Sequence, residues 1–126
     1  MESKHYDVNV NVDTTFVADQ SQPDNERFVF AYHVTITNCG AVSAQLISRH
    51  WIITDATGHI EEVKGDGVIG EQPKLDPGES FKYTSAAMIA TPVGTMHGSY
   101  FMLADDGHRF EAPIEAFRLS VPNILH

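Results

Sequence analysis

The sequence predicts an all-β sandwich of about seven or more antiparallel strands, and three observations lead to this fold class. Apolar and polar residues alternate with a period of two along most of the chain, as they do in half-buried strands. Turn-forming clusters of Gly, Pro, Asn and Asp separate these segments at regular spacing. No window of about 11 residues shows the 3.6-residue period of an amphipathic helix. Short strands divided by turns are typical of a sandwich or a barrel.

Four strands are predicted in the first half of the chain. They cover residues 6–12, 28–37, 46–53 and 59–63. A polar loop over 18–26 follows the first strand, and Asn38-Cys39-Gly40 is a turn signal after the second. The sequence Asp55-Ala56-Thr57-Gly58 predicts a hairpin turn between the third and fourth strands.

The second half of the chain continues the same pattern. Strands are predicted over residues 81–89, 100–104 and 109–121, the last as one or two strands broken near Pro113. Residues 65–73 form a loop by composition, and 91–95 are a turn segment. Pro77-Gly78 and Asp106-Gly107 mark two further sharp turns.

A sandwich is favoured over a barrel by features of the middle strands. Trp51 lies in mid-strand, where an inter-sheet core needs a large side chain. Residues 98–102 resemble the G-x-Y-x-C corner of immunoglobulin domains, with Met102 in the place of the Cys. Residues 75–79 resemble the turn that precedes a strand in fibronectin type III domains. We therefore predict an immunoglobulin- or fibronectin type III-like sandwich.

Length and charge limit the classes of protein and partner. A chain of 126 residues predicts one domain, over 1–126, and we expect residues 1–5 to be flexible. The formal net charge of −9 argues against nucleic acid and anionic membranes as partners, because both require a basic surface. No apolar run approaches the roughly 20 residues of a membrane span, and no signal-peptide h-region is present. With a single cysteine, Cys39, we expect a cytoplasmic protein.

Residues 65–70 (GDGVIG) form a literal G-x-G-x-x-G, which has two interpretations. As a phosphate or pyrophosphate site, Gly65, Gly67 and Gly70 would require a strand before them and a helix N-terminus after them. No helical period follows, and no Lys-Ser/Thr completes a P-loop. Asp66 would also repel a phosphate. We therefore favour a flexible or bulged loop and keep phosphate binding as the alternative.

Other chemistry-bearing residues stand alone in the sequence. None of the seven histidines has the spacing of a metal site, although His50 could still meet His97 or His108 in the fold. Cys39 has no neighbouring base, and no G-x-S-x-G elbow is present. We therefore expect no catalytic residue, no metal ligand and no cofactor, and do not expect an enzyme.

Six collinear segments resemble the signatures of the ApaG family. They are residues 23–32 (PDNERFVFAY), 49–55 (RHWIITD), 63–73 (VKGDGVIGEQP), 83–85 (YTS), 92–100 (PVGTMHGSY) and 113–122 (PIEAFRLSVP). The resemblance implies a fibronectin type III-like sandwich in the bacterial cytoplasm, with a link to cobalt resistance and magnesium efflux. It also implies a protein-interaction role, because the same domain occurs in F-box proteins and in a DNA-polymerase-delta-interacting protein.

Two functions from different classes follow from these observations. The first is a non-enzymatic protein-interaction module that uses an edge strand or end loops and exposes an apolar patch. The alternative is a small-ligand protein that binds a divalent metal, or a phosphate at Gly65–Gly70. A homodimer through an edge strand is a further expectation, and the apolar tail 121–126 is expected to dock on its own sandwich or on a second copy.

Overall fold

A computed structural model describes residues 5–122 of the protein as eight β-strands. They are β1 (Val8–Phe16), β2 (Phe28–Asn38), β3 (Ala44–Asp55), β4 (Ile60–Asp66), β5 (Lys74–Leu75), β6 (Ser80–Ile89), β7 (Val93–Ala104) and β8 (Arg109–Ser120). Short 3₁₀ turns at Ala18–Gln20 and Pro23–Asn25 lie between β1 and β2. The expectations for residues 1–4 and for the tail beyond Pro122 fall outside the described residues. Within 5–122, no helix is long and apolar enough to cross a membrane.

The strands form two antiparallel sheets packed face to face, which confirms the predicted sandwich. The first sheet has the order β1-β2-β6, and the second has the order β4-β3-β7-β8. Strand β5 pairs with the start of β3 at Ala44 and Gln45. Each sheet thus ends in two edge strands, β1 and β6 in the first and β4 and β8 in the second.

Three local predictions differ from the structure. The predicted loop 65–73 contains the end of β4, and β7 already begins at Val93 within the predicted turn. The C-terminal segment, predicted as one or two strands, is a single strand without the expected break near Pro113. The Ala104 amide donates to the His108 carbonyl, and in an antiparallel ladder this register places the Pro113 nitrogen on the free side of β8. A proline there removes no ladder hydrogen bond.

Trp51 fills the space between the sheets, as the sequence predicted. Its side chain is 1% exposed and meets Tyr32 of the first sheet with ring centroids 5.3 Å apart. From its own sheet, Tyr100 and Phe117 contact it edge-on at 6.2 and 5.9 Å. Met102, in the place of the immunoglobulin cysteine, is also buried. The core therefore closes without a disulfide around one aromatic cluster.

The two lateral sides of the sandwich differ. On one side β1 lies against β8, where the Thr14 hydroxyl donates to the Arg118 carbonyl over 3.4 Å. The Tyr6 ring stacks on His108 at the same side, with centroids 4.0 Å apart. On the other side β4 and β6 border an open cleft between the sheets. The topology therefore closes one lateral side and leaves the other accessible.

Gly98 lets β7 approach β3 beside Trp51, and this close approach gives a stability prediction. A Cβ at position 98 would lie 2.0 Å from the His50 carbonyl oxygen, so one strand would have to move. We expect Gly98→Ala to lower the free energy of unfolding by about 1–3 kcal/mol or more in urea denaturation. The control Thr95→Ala, at an exposed position of the same strand, should change it by less than about 1 kcal/mol. Equal effects of the two substitutions would contradict the prediction.

Candidate functional site

The cleft between β4 and β6 is the candidate functional site. Its volume is about 600 Å³. Trp51 and Tyr83 contribute to its lining from the two sheets, and Val63 and Met96 add apolar surface. Its lining also includes Glu61 and Asp66 of β4, Met88 of β6, and residues 68–70, which follow β4. Both sheets and the predicted glycine loop therefore meet at this opening.

Arg49 is a charged residue on the inward face of β3. Its Nη1 atom donates hydrogen bonds to the carbonyl oxygens of Asp66, over 3.1 Å, and of Gly67, over 2.9 Å. The guanidinium lies against Gly65, where a Cβ would be only 2.8 Å from Nη1. Among the residues described here, no carboxylate lies within ion-pair distance of Arg49. Arg49 therefore holds the segment after β4 in place and brings an unpaired positive charge to the cleft.

Two tyrosine hydroxyls form a hydrogen bond inside the sandwich beside the cleft. Tyr83 of β6 and Tyr100 of β7 share this bond across the two sheets, and Tyr83 also lines the cleft. Burial raises the pKa of Tyr83 to about 12, although the hydrogen bond from Tyr100 and the charge of Arg49 act in the opposite direction. Burial also raises the pKa of Tyr100. Both side chains are therefore neutral phenols near pH 7.

The glycine motif folds as a strand end followed by a tight turn. Gly65 belongs to β4, and the Gly67 amide donates to the Ile47 carbonyl over 2.8 Å. Val68 and Glu71 exchange two backbone hydrogen bonds, of 2.8 and 2.9 Å, around the two-residue turn Ile69-Gly70. The amides of Gly67, Val68 and Glu71 are therefore already bonded to protein carbonyls. Strand β5 comes next rather than a helix, so the arrangement lacks the helix N-terminus that a dinucleotide fingerprint uses.

Ile69 has a strained backbone at the mouth of the cleft. Its φ is +44° and that of Gly70 is +81°, and two positive φ values in a two-residue hairpin loop indicate a type I′ turn. A β-branched residue rarely adopts this conformation, which usually belongs to Asn or Gly. The side chain is 55% exposed, and Met88, another residue of the cleft, is 53% exposed. Two exposed apolar side chains therefore contribute to one opening, and one of them, Ile69, has a strained backbone.

The histidines between residues 5 and 122, and Cys39, do not line the cleft. His50 Nε2 lies 2.8 Å from Glu62 Oε1, and His108 stacks on Tyr6. Cys39 is exposed in the turn after β2. Over residues 5–122, no three His, Cys, Asp or Glu side chains are close enough to share a metal ion.

The cleft was missed in the sequence because it forms only when β4 and β6 come together. One signal was available, since the period of two places Arg49 on the same face as buried Trp51 and Ile53. A charged side chain on a core-facing position suggests a site or a structural clamp. The pairing of Tyr83 with Tyr100 and the strain at Ile69 left no such signal.

Comparisons with known proteins agree with the motifs in the sequence. The family model described as ApaG domain matches residues 18–104. The chain is 57% identical to Protein ApaG of Azoarcus sp. (strain BH72) over 98% of each chain. It is 56% identical to Protein ApaG of Azotobacter vinelandii over the full length of both. A Bordetella pertussis crystal structure named as ApaA superposes with a TM-score of 0.94 at 49% identity, covering 98% of this chain and 100% of that one. These names identify a family and state no reaction.

The strain at Ile69 predicts that a better turn residue stabilises the protein. We expect Ile69→Asn to raise the free energy of unfolding by about 1 kcal/mol, because Asn tolerates the left-handed region and Asn-Gly is the preferred type I′ pair. Ile60→Asn is the matched control, since Ile60 is 61% exposed and does not have a positive φ. That substitution should leave stability unchanged or lower it in the same urea titration. Stabilisation by both, or by neither, would contradict the argument.

The buried tyrosine pair predicts a loss of stability at alkaline pH. An unfolded tyrosine loses its proton near pH 10.0, whereas Tyr83 keeps its proton up to about pH 12 in the fold. Between these values the unfolded chain binds fewer protons, so the free energy of unfolding falls by up to about 1.4 kcal/mol per pH unit for each such group. Tyr83→Phe removes one of the two groups and should make the decline shallower. An unchanged slope would show that the pair does not titrate as described.

Proposed function

The chain belongs to the ApaG family, and we propose that it is a non-enzymatic protein-interaction module that adds an extended segment of a partner to the free edge of β6. Strand addition of this kind uses main-chain hydrogen bonds for affinity and side-chain pockets for specificity. The observation that carries the proposal is that β6 is a long and almost uncharged edge strand beside the open cleft.

Strand β6 lacks the protection that natural edge strands usually have. It runs for ten residues, and Lys82 is the only charged residue in it. A long edge with few charges is a ready template for pairing with another chain. Its side chains alternate cleanly, with Tyr83, Ala87 and Ile89 buried and Lys82, Thr84, Ala86 and Met88 exposed.

The other three edges are guarded. Strand β4 has seven residues, four of them charged: Glu61, Glu62, Lys64 and Asp66. Strand β8 carries Pro113 as well as Glu111, Glu115 and Arg118, and it lies against β1. Charge, proline and cover by a neighbouring strand are the usual devices against edge pairing. The contrast points to β6 as the edge kept open for a partner.

The register determines which backbone groups of β6 point away from β2 and would face a partner strand. The Asn38 amide donates to the Glu79 carbonyl, so the hydrogen-bonded pairs of β2 and β6 include Tyr83 and Ala87. The amides and carbonyls of Lys82, Thr84, Ala86 and Met88 therefore point away from β2. These groups form an evenly spaced row for one further antiparallel or parallel strand.

Charge determines the chemistry of the partner segment. Glu61 and Asp66 line the cleft, Glu71 follows the turn, and the whole chain has a net charge of −9. An extended segment with basic residues around an apolar centre would complement this surface. Its apolar side chains would contact Met88 and Ile69. We take such a segment of a cytoplasmic protein as the occupant.

This role accommodates the link to cobalt and magnesium that the resemblance implies. Among the described residues no three potential ligands converge, so we propose that the effect on divalent ions passes through the partner. The phosphate alternative at Gly65, Gly67 and Gly70 receives less support, because the amides of Gly67, Val68 and Glu71 already donate to carbonyls. Asp66 and Glu71 would also repel a phosphate.

The proposal is tested by selecting random short peptides displayed on phage against the folded protein. We expect enrichment of extended sequences that alternate apolar and polar positions and carry Lys or Arg. Hydrogen exchange should slow at the amides of Lys82, Thr84, Ala86 and Met88 when a selected peptide binds. Ala86→Pro should weaken peptide binding about tenfold or more, because it removes an outward amide and projects a ring at the edge.

Lys64→Pro is the matched control on another edge. The Asp55 amide donates to the His59 carbonyl, and this register leaves the Lys64 amide outside the β3–β4 ladder. This variant should bind the selected peptides like the parent, and circular dichroism should show both variants folded. Failure to enrich peptides, or equal binding by Ala86→Pro, would overturn the proposal. A dimer of the protein that Ala86→Pro dissociates would replace the partner with a second copy. Saturable amide shifts confined to residues 65–70 with magnesium pyrophosphate would instead favour the ligand alternative.

A further inference from the structure

The cleft contains hydrogen-bond donors that its own residues do not use. Arg49 has five N–H donors, and the two hydrogen bonds from Nη1 are the ones it makes to described residues. Trp51 also lines the cleft, and its Nε1 is buried without an acceptor among residues 5–122. Arg49 and Trp51 both line the cleft, and each has an N–H donor without an acceptor among the described residues.

The tyrosine pair adds a further donor. In a hydrogen bond between two hydroxyls one O–H donates and the other oxygen accepts, so the accepting hydroxyl keeps a proton to donate elsewhere. No other acceptor for Tyr83 or Tyr100 occurs within the described chain. Both phenols are protonated near pH 7, and burial raises the pKa of each further above its usual value. The floor of the cleft, formed by Arg49, Trp51 and Tyr83, therefore has unused donors, whereas the carboxylates of the lining, Glu61 and Asp66, are exposed.

We propose that this floor binds a single carboxylate on an apolar stem, with Arg49 as its main partner and the Tyr83 hydroxyl and Trp51 indole as neutral donors. A guanidinium fork matches the two oxygens of a carboxylate, and charge-assisted bonds of this kind are about twice as strong as neutral ones. The apolar lining from Val63, Ala87 and Met96 suits an aliphatic stem. The inference rests on the proposed function for the source of the carboxylate, which is the partner segment's Asp or Glu side chain or its C-terminus.

The acidic residues of the cleft disfavour anions that carry more than one negative charge. Glu61 and Asp66 are exposed carboxylates, whereas Arg49 is partly buried on the inward face of β3. Glu61 and Asp66 contribute two negative charges and Arg49 one positive charge, so the local sum is negative and a phosphate dianion is repelled more strongly overall than a monoanion. Basic residues next to the carboxylate in the partner segment would form ion pairs with Glu61 and Asp66. The cleft thus favours a carboxylate embedded in a basic segment.

Trp51 makes the binding measurable, because it is the only tryptophan of the chain and lines the cleft. We would titrate the full chain with hexanoate, with hexanamide and with inorganic phosphate. The readouts are the fluorescence of Trp51 and its indole N–H resonance. Hexanoate should give a saturable change that hexanamide and phosphate do not give. A response that is equal for hexanoate and hexanamide, stronger for phosphate, or absent would overturn the inference.

Variants assign the response to named groups. Arg49→Gln should lower the affinity for hexanoate about tenfold or more, because it removes the charge-assisted pair. Arg118→Gln, which removes an exposed arginine on β8, is the matched control and should bind like the parent. Because Arg49 also holds the Asp66 and Gly67 carbonyls, Tyr83→Phe provides a second variant that keeps the shape of the cleft. It should lower affinity a few-fold, and unchanged binding by both cleft variants would contradict the assignment.

Two further experiments distinguish failure of this inference from failure of the proposed function. Lys82→Pro removes another outward amide of β6, at a residue that does not line the cleft, so it should weaken peptide binding and leave hexanoate binding intact. Either function can therefore fail without the other. For a selected peptide, amidating the C-terminus or replacing its Glu with Gln identifies which carboxylate enters the cleft. If neither change weakens binding, the partner segment does not supply the group and the inference fails for peptides.

Discussion

The aromatic contact between Trp51 and Tyr32 joins the two sheets, and the shape of the sandwich depends on it. Trp51 belongs to the five-stranded sheet and Tyr32 to the three-stranded one, so their contact sets the distance between the layers. Tyr100 and Phe117 hold the indole edge-on from its own sheet. Such pairs add to the large apolar area that each ring buries. Because the sheets are fixed at this centre, their lateral sides are free to differ.

The difference between the two sides follows from which edge strands meet. Strand β1 reaches β8, and the N-terminal Tyr6 covers the β7–β8 hairpin by stacking on His108. No equivalent contact joins β4 to β6 in the described part of the chain, and the inward Arg49 takes a core position that an apolar side chain would close. Its guanidinium needs polar partners, and it donates to the carbonyl of Asp66 at the end of β4 and to that of Gly67 just after it. A charged residue thus occupies an inward position of β3 at the cleft, on the same face as the buried Trp51 and Ile53.

Properties that depend on local alternation could be predicted from the sequence. Contacts between strands that are distant in the chain could not. A period of two was enough to place Trp51 inside, and Met102 packs where the resemblance to an immunoglobulin corner located it. Strand β5 has only two residues, too few for a period to be detected. A break was predicted near Pro113 because the sequence does not show that this residue lies on an edge strand. The glycine motif illustrates the same limit. Its letters match a nucleotide fingerprint, but the following segment forms a hairpin turn and β5 instead of a helix.

Three features around the cleft lower the stability of the protein or its resistance to aggregation, and selection for stability alone would remove them. Ile69 keeps a backbone conformation that Asn or Gly would adopt at lower cost. Strand β6 keeps ten residues of nearly uncharged edge, although charges guard β4 directly across the cleft. Trp51 keeps an indole N–H without an acceptor among residues 5–122, at a position where Phe would bury no polar atom. Strain, an open edge and unused donors have separate physical causes, so their common location calls for one explanation. An extended segment that pairs with β6, contacts Ile69 and supplies an acceptor to the floor would satisfy all three at once.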